Sequence, residues 1–457
     1  MLTFFLSVLK EILLPIIYGG GIVVMIVSIF KRPEWGLFLI MALRPQPNIY
    51  YKFYQFPMGQ HFLDFAFLAV LIGMIVNKKG LLKNVNSIVI TIFIVISYLA
   101  LVNCSVRFNF PFPVTRGNPL LADWKNYAEM IAMYFLVLNG IEDERDQKSM
   151  VMIMCLVVLF IATRSYRAYT AAGGFSESSR YGGPFETVGL GSNHLGAFIA
   201  DYSSVWLGLF FLDKNKWRKW LYLAAVLFSL HPLFFSYSRG GYAAALGVLL
   251  FFGFVKKRSL LILVFCLFLG WQTILPTSVV DRIRMTEAES GELENSAAMR
   301  LEIWNYAIDL YKANRIFGVG FGGYSLSVLD KTGRPRDSHS IYLKMLSEQG
   351  IVGLGLLLLV FGLAFYSGWK LFKRGRDPFQ KGLGFGFLGC VVAMMITNMF
   401  GDRWSYDVLG TYFWVLWALV DRGILISKTS DQNVGLIEYT APIDGNGYQG
   451  AEGERNA

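Results

Sequence analysis

The stretch Arg334-Pro-Arg-Asp-Ser-His-Ser-Ile-Tyr-Leu-Lys-Met-Leu-Ser-Glu-Gln-Gly350 leads directly into the apolar run Ile351–Phe372. Its polar half carries His339, one of only 4 histidines in 457 residues. Imidazole has an ordinary pKa near neutrality, so it suits acid–base work. The apolar half is long enough to cross a hydrocarbon core about 30 Å thick. The stretch therefore predicts a loop that carries an acid–base side chain and leads into a membrane helix.

The composition extends this prediction to the whole chain. Hydrophobic residues make up 54% and charged residues only 16%, with a mean hydropathy of +0.46. A soluble protein of this length would carry about a quarter charged residues. Apolar runs of spanning length recur, and we expect an all-α polytopic membrane protein with about twelve transmembrane helices. The helix bundle is predicted over residues 1–427, followed by a disordered cytoplasmic tail over 428–457.

The net charge of +10 indicates orientation rather than a nucleic-acid partner. Many of the cations lie in short loops between apolar runs, and such loops face the cytoplasm. Counting spans between the loops places all five on one face of the membrane. The loops are Lys78–Lys83, Glu142–Lys148, Lys214–Lys219, Lys256–Arg258 and Lys373–Lys381.

The opposite, outer face receives the longest segment between spans, residues 275–340. Within it, Leu301, Trp304, Ile308 and Tyr311 recur at helical spacing, which predicts an amphipathic helix over Ala297–Ala313. The glycines of Gly318–Gly323 predict a flexible turn that leads to the histidine segment. We therefore expect a structured outer loop rather than a simple connection.

Two glycine-rich segments at this face are candidate anion sites. Ser238 and Arg239 precede two glycines, and a forked cation beside unhindered backbone suits a phosphate or diphosphate. The alternative is an arginine that touches lipid headgroups. Arg180 begins a glycine-rich loop that leads to Asn193 and His194 in the first turn of a span. The alternative there is an ordinary helix cap beside an incidental histidine.

Two further elements lie in the long outer segment. Arg300 and Trp304 are four residues apart and face the same way on the predicted helix. Arg300 could be a snorkelling surface residue instead. Asp337 lies two residues before His339, so the carboxylate could orient the imidazole as a general base. The alternative is a capping turn with the histidine packed beside it.

The order and spacing of these elements resemble the O-antigen ligase/polymerase superfamily of bacterial envelope glycosyltransferases. More weakly, Lys31–Gly36 and Arg44–Asn48 resemble a branch of O-glycosylation ligases. One departure is Ser340, which stands where the family often has asparagine after the histidine. The matching residues are Arg180–Gly196, Ser238–Gly240, Arg300, Trp304, Gly318–Gly323, His339, Tyr342, Leu343, Glu348, Gly350 and Gly353.

The resemblance implies transfer of a glycan from undecaprenyl diphosphate to an acceptor hydroxyl at the periplasmic face of the bacterial inner membrane. The acceptor would be a lipid core such as that of lipopolysaccharide, a growing glycan or a protein. His339 would be the base, and Arg239 and Arg300 would stabilise the leaving diphosphate. The substrate-binding residues would be Arg180, Asn193, His194, Ser238, Arg336, Asp337 and Tyr342.

Two other functions stay open from the sequence. A polymerase that extends glycan on the lipid carrier would use the same fold and site. A transporter or lipid flippase would need ionisable groups at mid-membrane, and the candidates Asp64, Glu129 and Asp201 each lie near a predicted span end. No Asp-x-Asp pair lies in an outer segment, so we expect transfer without a metal or other cofactor. A single displacement would invert the anomeric centre, and a covalent route through Asp337 is the alternative that the sequence leaves open. The long outer segment also favours an enzyme over a carrier.

Overall fold

The computed structural model describes residues 2–115, 117–171, 180–284, 295–334 and 336–439, and all regular structure in these ranges is helical. The predicted all-α class is confirmed. The α-helices are α1 Leu2–Phe30, α2 Pro33–Leu43, α3 Pro47–Tyr50, α4 Phe62–Val76, α5 Val85–Arg107, α6 Leu121–Gly140, α7 Glu144–Ala171, α8 Ser192–Leu212, α9 Lys216–Phe235, α10 Arg239–Val255, α11 Ser259–Ile274, α12 Thr277–Arg284, α13 Asn295–Ala313, α14 Gly323–Thr332, α15 Ile341–Arg374, α16 Pro378–Thr397 and α17 Asp407–Tyr439.

Eight helices in the described residues are long and apolar enough to cross a membrane. The count reaches nine if α11 and α12, which meet at an angle of 102°, form one broken span. Two shorter apolar helices, α2 and α10, stand beside them. A multi-pass bundle is therefore present, and the count of twelve stays a prediction.

The centre of the bundle is the contact between α8 and α16, which approach backbone to backbone. A Cβ atom added at Gly208 would lie 2.3 Å from the Cα of Gly386, and one added at Gly386 would lie 2.4 Å from the carbonyl oxygen of Val205. Small residues allow membrane helices to pack at this distance. The first half of α17, Val408–Val420, is buried almost throughout and completes the core.

The expectation that the candidate membrane carboxylates lie near span ends is wrong for Asp201. This residue lies midway along α8 and is buried, and its carboxylate accepts a hydrogen bond from the Thr397 hydroxyl on α16 (3.1 Å).

The structure brings the basic loops together on one face of the bundle, as predicted. Ion pairs and cation–π contacts join them directly or through the adjacent helix ends. The contacts are Lys79 with Glu142 (2.7 Å), Lys148 with Asp377 (3.9 Å), Arg218 with the Phe379 ring (5.5 Å) and Lys257 with the Phe211 ring (5.2 Å).

At the opposite face, α11, α12 and α13 form an outer arm. The chain turns sharply at Pro276, and α12 leads back over the bundle. The predicted helix is confirmed as α13, which starts two residues earlier than expected. The predicted apolar stripe is wrong at its first position, because Leu301 is exposed and the buried face is centred on Ile303 and Ala307. It packs on α14 through a small core of its own, formed by Ile303, Ala307, Tyr324 and Val328.

Helix α15 is broken at Gly350, whose φ of +66° lies outside the helical region. The segment Arg315–Gly320 pairs with the break through backbone hydrogen bonds, which satisfy polar groups that a membrane would leave unpaired. A Cβ at Gly318 would lie 2.3 Å from the backbone of Glu348, so glycine here permits close docking. The prediction of a flexible turn at this place is therefore wrong. The bonds are Val319 N to Ser347 O (2.9 Å), Gly320 N to Glu348 O (2.7 Å), Ile351 N to Arg315 O (2.9 Å) and Val352 N to Ile316 O (3.4 Å).

The last helix runs beyond the predicted end of the bundle. Helix α17 continues to Tyr439, so the boundary predicted between 427 and 428 falls inside it. Residues 440–457 of the predicted disordered tail lie outside the described residues.

Candidate functional site

A cavity of about 280 Å³ opens where the outer arm meets the bundle. Among the described residues, four arginines line it: Arg239, Arg282, Arg300 and Arg403. They come from α10, α12, α13 and the connection between α16 and α17, elements that are far apart in the chain. Guanidinium groups that converge in this way can together bind the oxygens of a phosphate or diphosphate.

The position of Arg239 follows from the turn before α10. Ser238 caps the helix, since its side-chain oxygen accepts a hydrogen bond from the backbone N–H of Gly241 (3.2 Å). A Cβ at Gly241 would lie 3.1 Å from the carbonyl oxygen of Gly196, so a side chain here would press α10 and α8 apart by a few tenths of an ångström. The predicted Ser238 and Arg239 therefore lie at a helix N-terminus that faces the cavity, where an anion is favoured.

Arg180 lies behind the cavity, not among its described lining residues. Its Nη2 atom donates to the side chain of Asn193 (2.9 Å) and to the carbonyl oxygen of Ser236 (3.1 Å). Asn193 itself lines the cavity. Arg180 thus ties the start of α8 to the turn before α10, and its direct binding of substrate stays a prediction.

His339 is held in an unusual backbone conformation by its neighbours. Its φ is +51°, in the left-handed region that few residues other than glycine adopt. The Trp304 ring N–H donates to the carbonyl oxygen of Ser338 (3.2 Å), and Ile341 N–H donates to that of Asn398 (3.1 Å). Strain of this kind persists only where surrounding contacts fix it, and it is often found at functional sites.

The surroundings of the imidazole keep it neutral. Partial burial lowers the pKa of His339, and the charges of Arg300 and Arg403 act in the same direction. Asp337, with a carboxylate oxygen 3.9 Å from Nδ1, opposes the shift without reversing it. The net pKa lies below the ordinary value of 6.5, so the side chain is free to accept a proton at neutral pH.

The sequence reasoning missed Arg403, which lies in the connection between α16 and α17. Asn398 shapes this connection, since its side-chain oxygen accepts from the backbone N–H groups of Arg403 (2.9 Å) and Trp404 (3.0 Å). Lys344 binds the buried Asp402 carboxylate at 2.7 Å. Burial alone would raise the pKa of Asp402, but Lys344 and Ser405 hold it below its usual value. This network fixes a buried guanidinium at the cavity wall.

Arg282 was also missed. It is buried near the end of α12, and the bend at Pro276 brings it to the cavity. Nearby, the Tyr237 hydroxyl contacts that of Ser278 at 3.2 Å, which joins α12 to the turn before α10. The available signal was a proline that ends an apolar run just before a short polar helix.

The remaining predicted residues lie around the cavity rather than in its described lining. The His194 ring packs edge-on against Tyr406, with 5.5 Å between ring centroids. The Tyr342 hydroxyl donates to the carbonyl oxygen of Met395 (2.8 Å), which joins α15 to α16. Arg336 lines a second cavity between α13 and α14. Asp337 faces His339, as expected.

Residues 223–358, a stretch shorter than half the chain, match the family model of the O-antigen ligase domain. The match includes Arg239, Arg282, Arg300 and His339 and ends before Arg403. It confirms the resemblance to the O-antigen ligase/polymerase superfamily and supports a glycosyltransferase-like function in polysaccharide biosynthesis. No curated protein matches the chain.

Proposed function

We propose that this protein is a membrane glycosyltransferase that moves a glycan from undecaprenyl diphosphate to an acceptor hydroxyl. The observation that carries the proposal is the convergence of Arg239, Arg282, Arg300 and Arg403 on one cavity, with a neutral His339 within electrostatic reach of two of them. The arginines stabilise negative charge, and His339 accepts a proton. Glycosyl transfer from a lipid diphosphate needs both.

The arginines act on the leaving group. As the bond between the anomeric carbon and the diphosphate oxygen breaks, negative charge grows on the diphosphate. Preorganised donors in a partly dry site can each contribute about 3–4 kcal/mol to stabilising such charge. A cavity of about 280 Å³ is small for a ligand pocket, so it suits the diphosphate and the groups next to it rather than a whole glycan.

His339 acts on the acceptor. With Nδ1 turned toward Asp337, we assign the proton to Nδ1 and leave Nε2 to accept the acceptor's proton. The acceptor oxygen forms a bond to the anomeric carbon while the bond to diphosphate breaks. The lipid diphosphate leaves, and His339 carries the proton away. A single displacement of this kind inverts the anomeric centre.

The membrane setting of the proposal follows from the charge distribution. Under the positive-inside rule we assign the face that gathers the basic loops to the cytoplasm, and the proposal therefore has the arginine cavity act at the periplasmic surface of the inner membrane. The acceptor there is a lipid core, a growing glycan or a protein hydroxyl. Transfer to a lipid core or a protein makes the enzyme a ligase, and transfer to lipid-linked glycan makes it a polymerase.

The first test compares envelope glycoconjugates from wild-type, deletion and His339→Asn strains at matched protein levels. Asparagine tolerates the left-handed backbone of His339 but cannot act as the base. We expect acceptor-linked glycan to disappear and lipid-linked glycan to accumulate in both altered strains. His61→Asn is the matched control, because that imidazole is exposed and pairs with Asp64 at the start of α4 rather than with the arginines of the cavity.

Each outcome of this test is informative. An acceptor that carries a single repeat unit in the altered strains would identify a polymerase. A normal profile in the His339→Asn strain would remove the histidine from the mechanism. A normal profile in the deletion strain would refute the proposed function altogether.

A further inference from the structure

A second cavity, of about 210 Å³, lies on the outer side of α13 where that helix meets α14. We propose that it binds the saccharide portion of the acceptor, an inference that rests on the proposed function. Six polar residues line it: Glu302, Asn305, Asp309, Lys331, Thr332 and Arg336.

The chemistry of the wall suits a polyhydroxylated ligand. Each sugar hydroxyl both donates and accepts, and this wall offers carboxylates, an amide, a hydroxyl and two cations. Tyr306 adds an aromatic floor, fixed by its hydroxyl bond to the carbonyl oxygen of Ser327 (2.8 Å) and by Lys331, which lies 4.7 Å from its ring centroid. The volume equals that of about seven liquid waters, the scale of a sugar ring rather than of an extended chain.

The wall also distinguishes this cavity from the arginine cavity. Glu302 and Asp309 balance the charges of Lys331 and Arg336, whereas the first cavity gathers four arginines. A diphosphate would meet two carboxylates in the second cavity. The structure therefore separates a site for an anionic donor from a site for a ligand that is neutral or nearly so.

The loop that holds His339 starts at the second cavity. Arg336 lines that cavity, and only two residues lie between it and His339, a distance of at most about 11 Å along the chain. On helix α13, Arg300 lines the first cavity and Asn305 lines the second. Its Trp304 holds the histidine loop through Ser338. A saccharide bound at Arg336 would therefore lie within reach of the loop that carries the proposed base, with the arginine cavity reached from Arg300 on the same helix.

A peptide acceptor fits this cavity less well. A peptide docks through its extended backbone on a sheet edge or as a helix in an apolar groove. The second cavity is compact, and its described lining is mostly side chains that bond hydroxyl groups. A saccharide acceptor is the occupant that these observations favour.

The test uses the full-length protein in detergent and the double variant Asn305→Ala/Arg336→Ala. Arg334→Ala is the matched control, because Arg334 is exposed, lies two residues from Arg336 and is outside the described lining. Saturation-transfer NMR is recorded with two probes, a neutral hexose oligosaccharide from the outer part of the host's envelope glycolipid and a short serine- and threonine-containing peptide. Transfer from lipid-linked donor is measured on the same preparations.

We expect sugar protons to receive saturation from the wild type, from Arg334→Ala and from His339→Asn, and to lose it with the double variant. The acceptor KM should rise about tenfold or more in the double variant, since charged and neutral hydrogen bonds are lost, while the donor KM stays unchanged. Unchanged sugar binding or an unchanged acceptor KM in the double variant would overturn the inference. Saturation of the peptide instead of the sugar would overturn it in favour of a protein acceptor.

The binding measurement separates this inference from the proposed function. If the wild type transfers glycan and the double variant behaves like Arg334→Ala, only the acceptor site is wrong. If the wild type binds the oligosaccharide but transfers nothing to any acceptor, the proposed function is wrong. The assignment of a saccharide to the second cavity would still hold.

Discussion

The α8–α16 pair and the outer arm formed by α11, α12 and α13 differ in how closely their helices are packed. The pair packs so closely that Gly208 and Gly386 meet backbone to backbone, whereas α11 has no buried residue. The arm supplies more of the site's arginines than the close-packed pair does. Arg403 follows α16, and Arg282 and Arg300 lie on the arm. The contrast indicates that close packing at the centre of the bundle stabilises the fold, while the arm supplies side chains for the reaction.

The largest effect should come from the close-packed pair. Gly386→Val would force a side chain against the carbonyl oxygen of Val205, at a cost of about 3 kcal/mol or more. We expect little folded protein in membranes, measured as the monodisperse fraction after detergent extraction. The matched control is Gly355→Val, because a Cβ there meets no atom within 4 Å. Wild-type yield from Gly386→Val would show that the pair does not limit stability.

Substitution of an arginine on the arm should lower the transfer rate without lowering the amount of folded protein. Arg300→Ala should lower the transfer rate by about 10²–10³-fold at normal protein levels. Arg403→Ala should lower it as much and also lower thermal stability, because the buried guanidinium donates to the carbonyl oxygen of Asp402 (3.2 Å) and its removal leaves a cavity. Lysine at either position should restore only part of the rate, since it lacks the guanidinium fork. Loss of folded protein with Arg300→Ala would contradict the division between the two regions.

A smaller effect is expected from pH. Burial, Arg300 and Arg403 hold the pKa of His339 below 6.5, and transfer needs the neutral imidazole. The rate should therefore be level at neutral pH and fall as the pH drops through that lowered pKa. Asp337→Asn removes a carboxylate that raises the pKa, so the acid limb should move to still lower pH.

The control for the pH profile is Asp330→Asn, an exposed carboxylate on α14 outside both described cavity linings. Its acid limb should coincide with that of the wild type. An acid limb above pH 6.5, or one that moves to higher pH in Asp337→Asn, would show that another group controls the profile.

The smallest effect should come from chelators. The proposed mechanism assigns stabilisation of the diphosphate charge to arginines from both regions, so treatment of purified protein with EDTA should leave the transfer rate unchanged. A loss of transfer that magnesium or manganese restores would mean that the arginines need a metal to complete the site.

The sequence was sufficient to place Arg239, Arg300 and Asn193 together, because the basic loops fix which connections share a face and all three lie on the other one. It was not sufficient for Arg282 and Arg403. Arg282 reaches the cavity through the 102° bend after α11, and Arg403 is held by the hydrogen bond that its backbone N–H donates to the Asn398 side chain. Both depend on tertiary contacts that leave no periodic pattern.

Side-chain direction was the other limit. Arg180 and Tyr342 were placed near the site, but they donate to groups such as the carbonyl oxygens of Ser236 and Met395. Spacing along a helix does not reveal which partner a polar side chain chooses. Glycine is ambiguous in the same way, since a residue that permits flexibility also permits the close docking seen at Gly318.

The bridge across the break in α15 has a consequence for the order in which the protein is made. Arg315–Gly320 leaves the ribosome well before Gly350, and its partners in the bridge do not yet exist. The loop that holds His339 lies between the two halves. This loop can adopt its final conformation only after the residues around Gly350 have been synthesised and have paired with Arg315–Gly320. A chain arrested before that point would contain every arginine of the arm and the histidine itself, and still have no site.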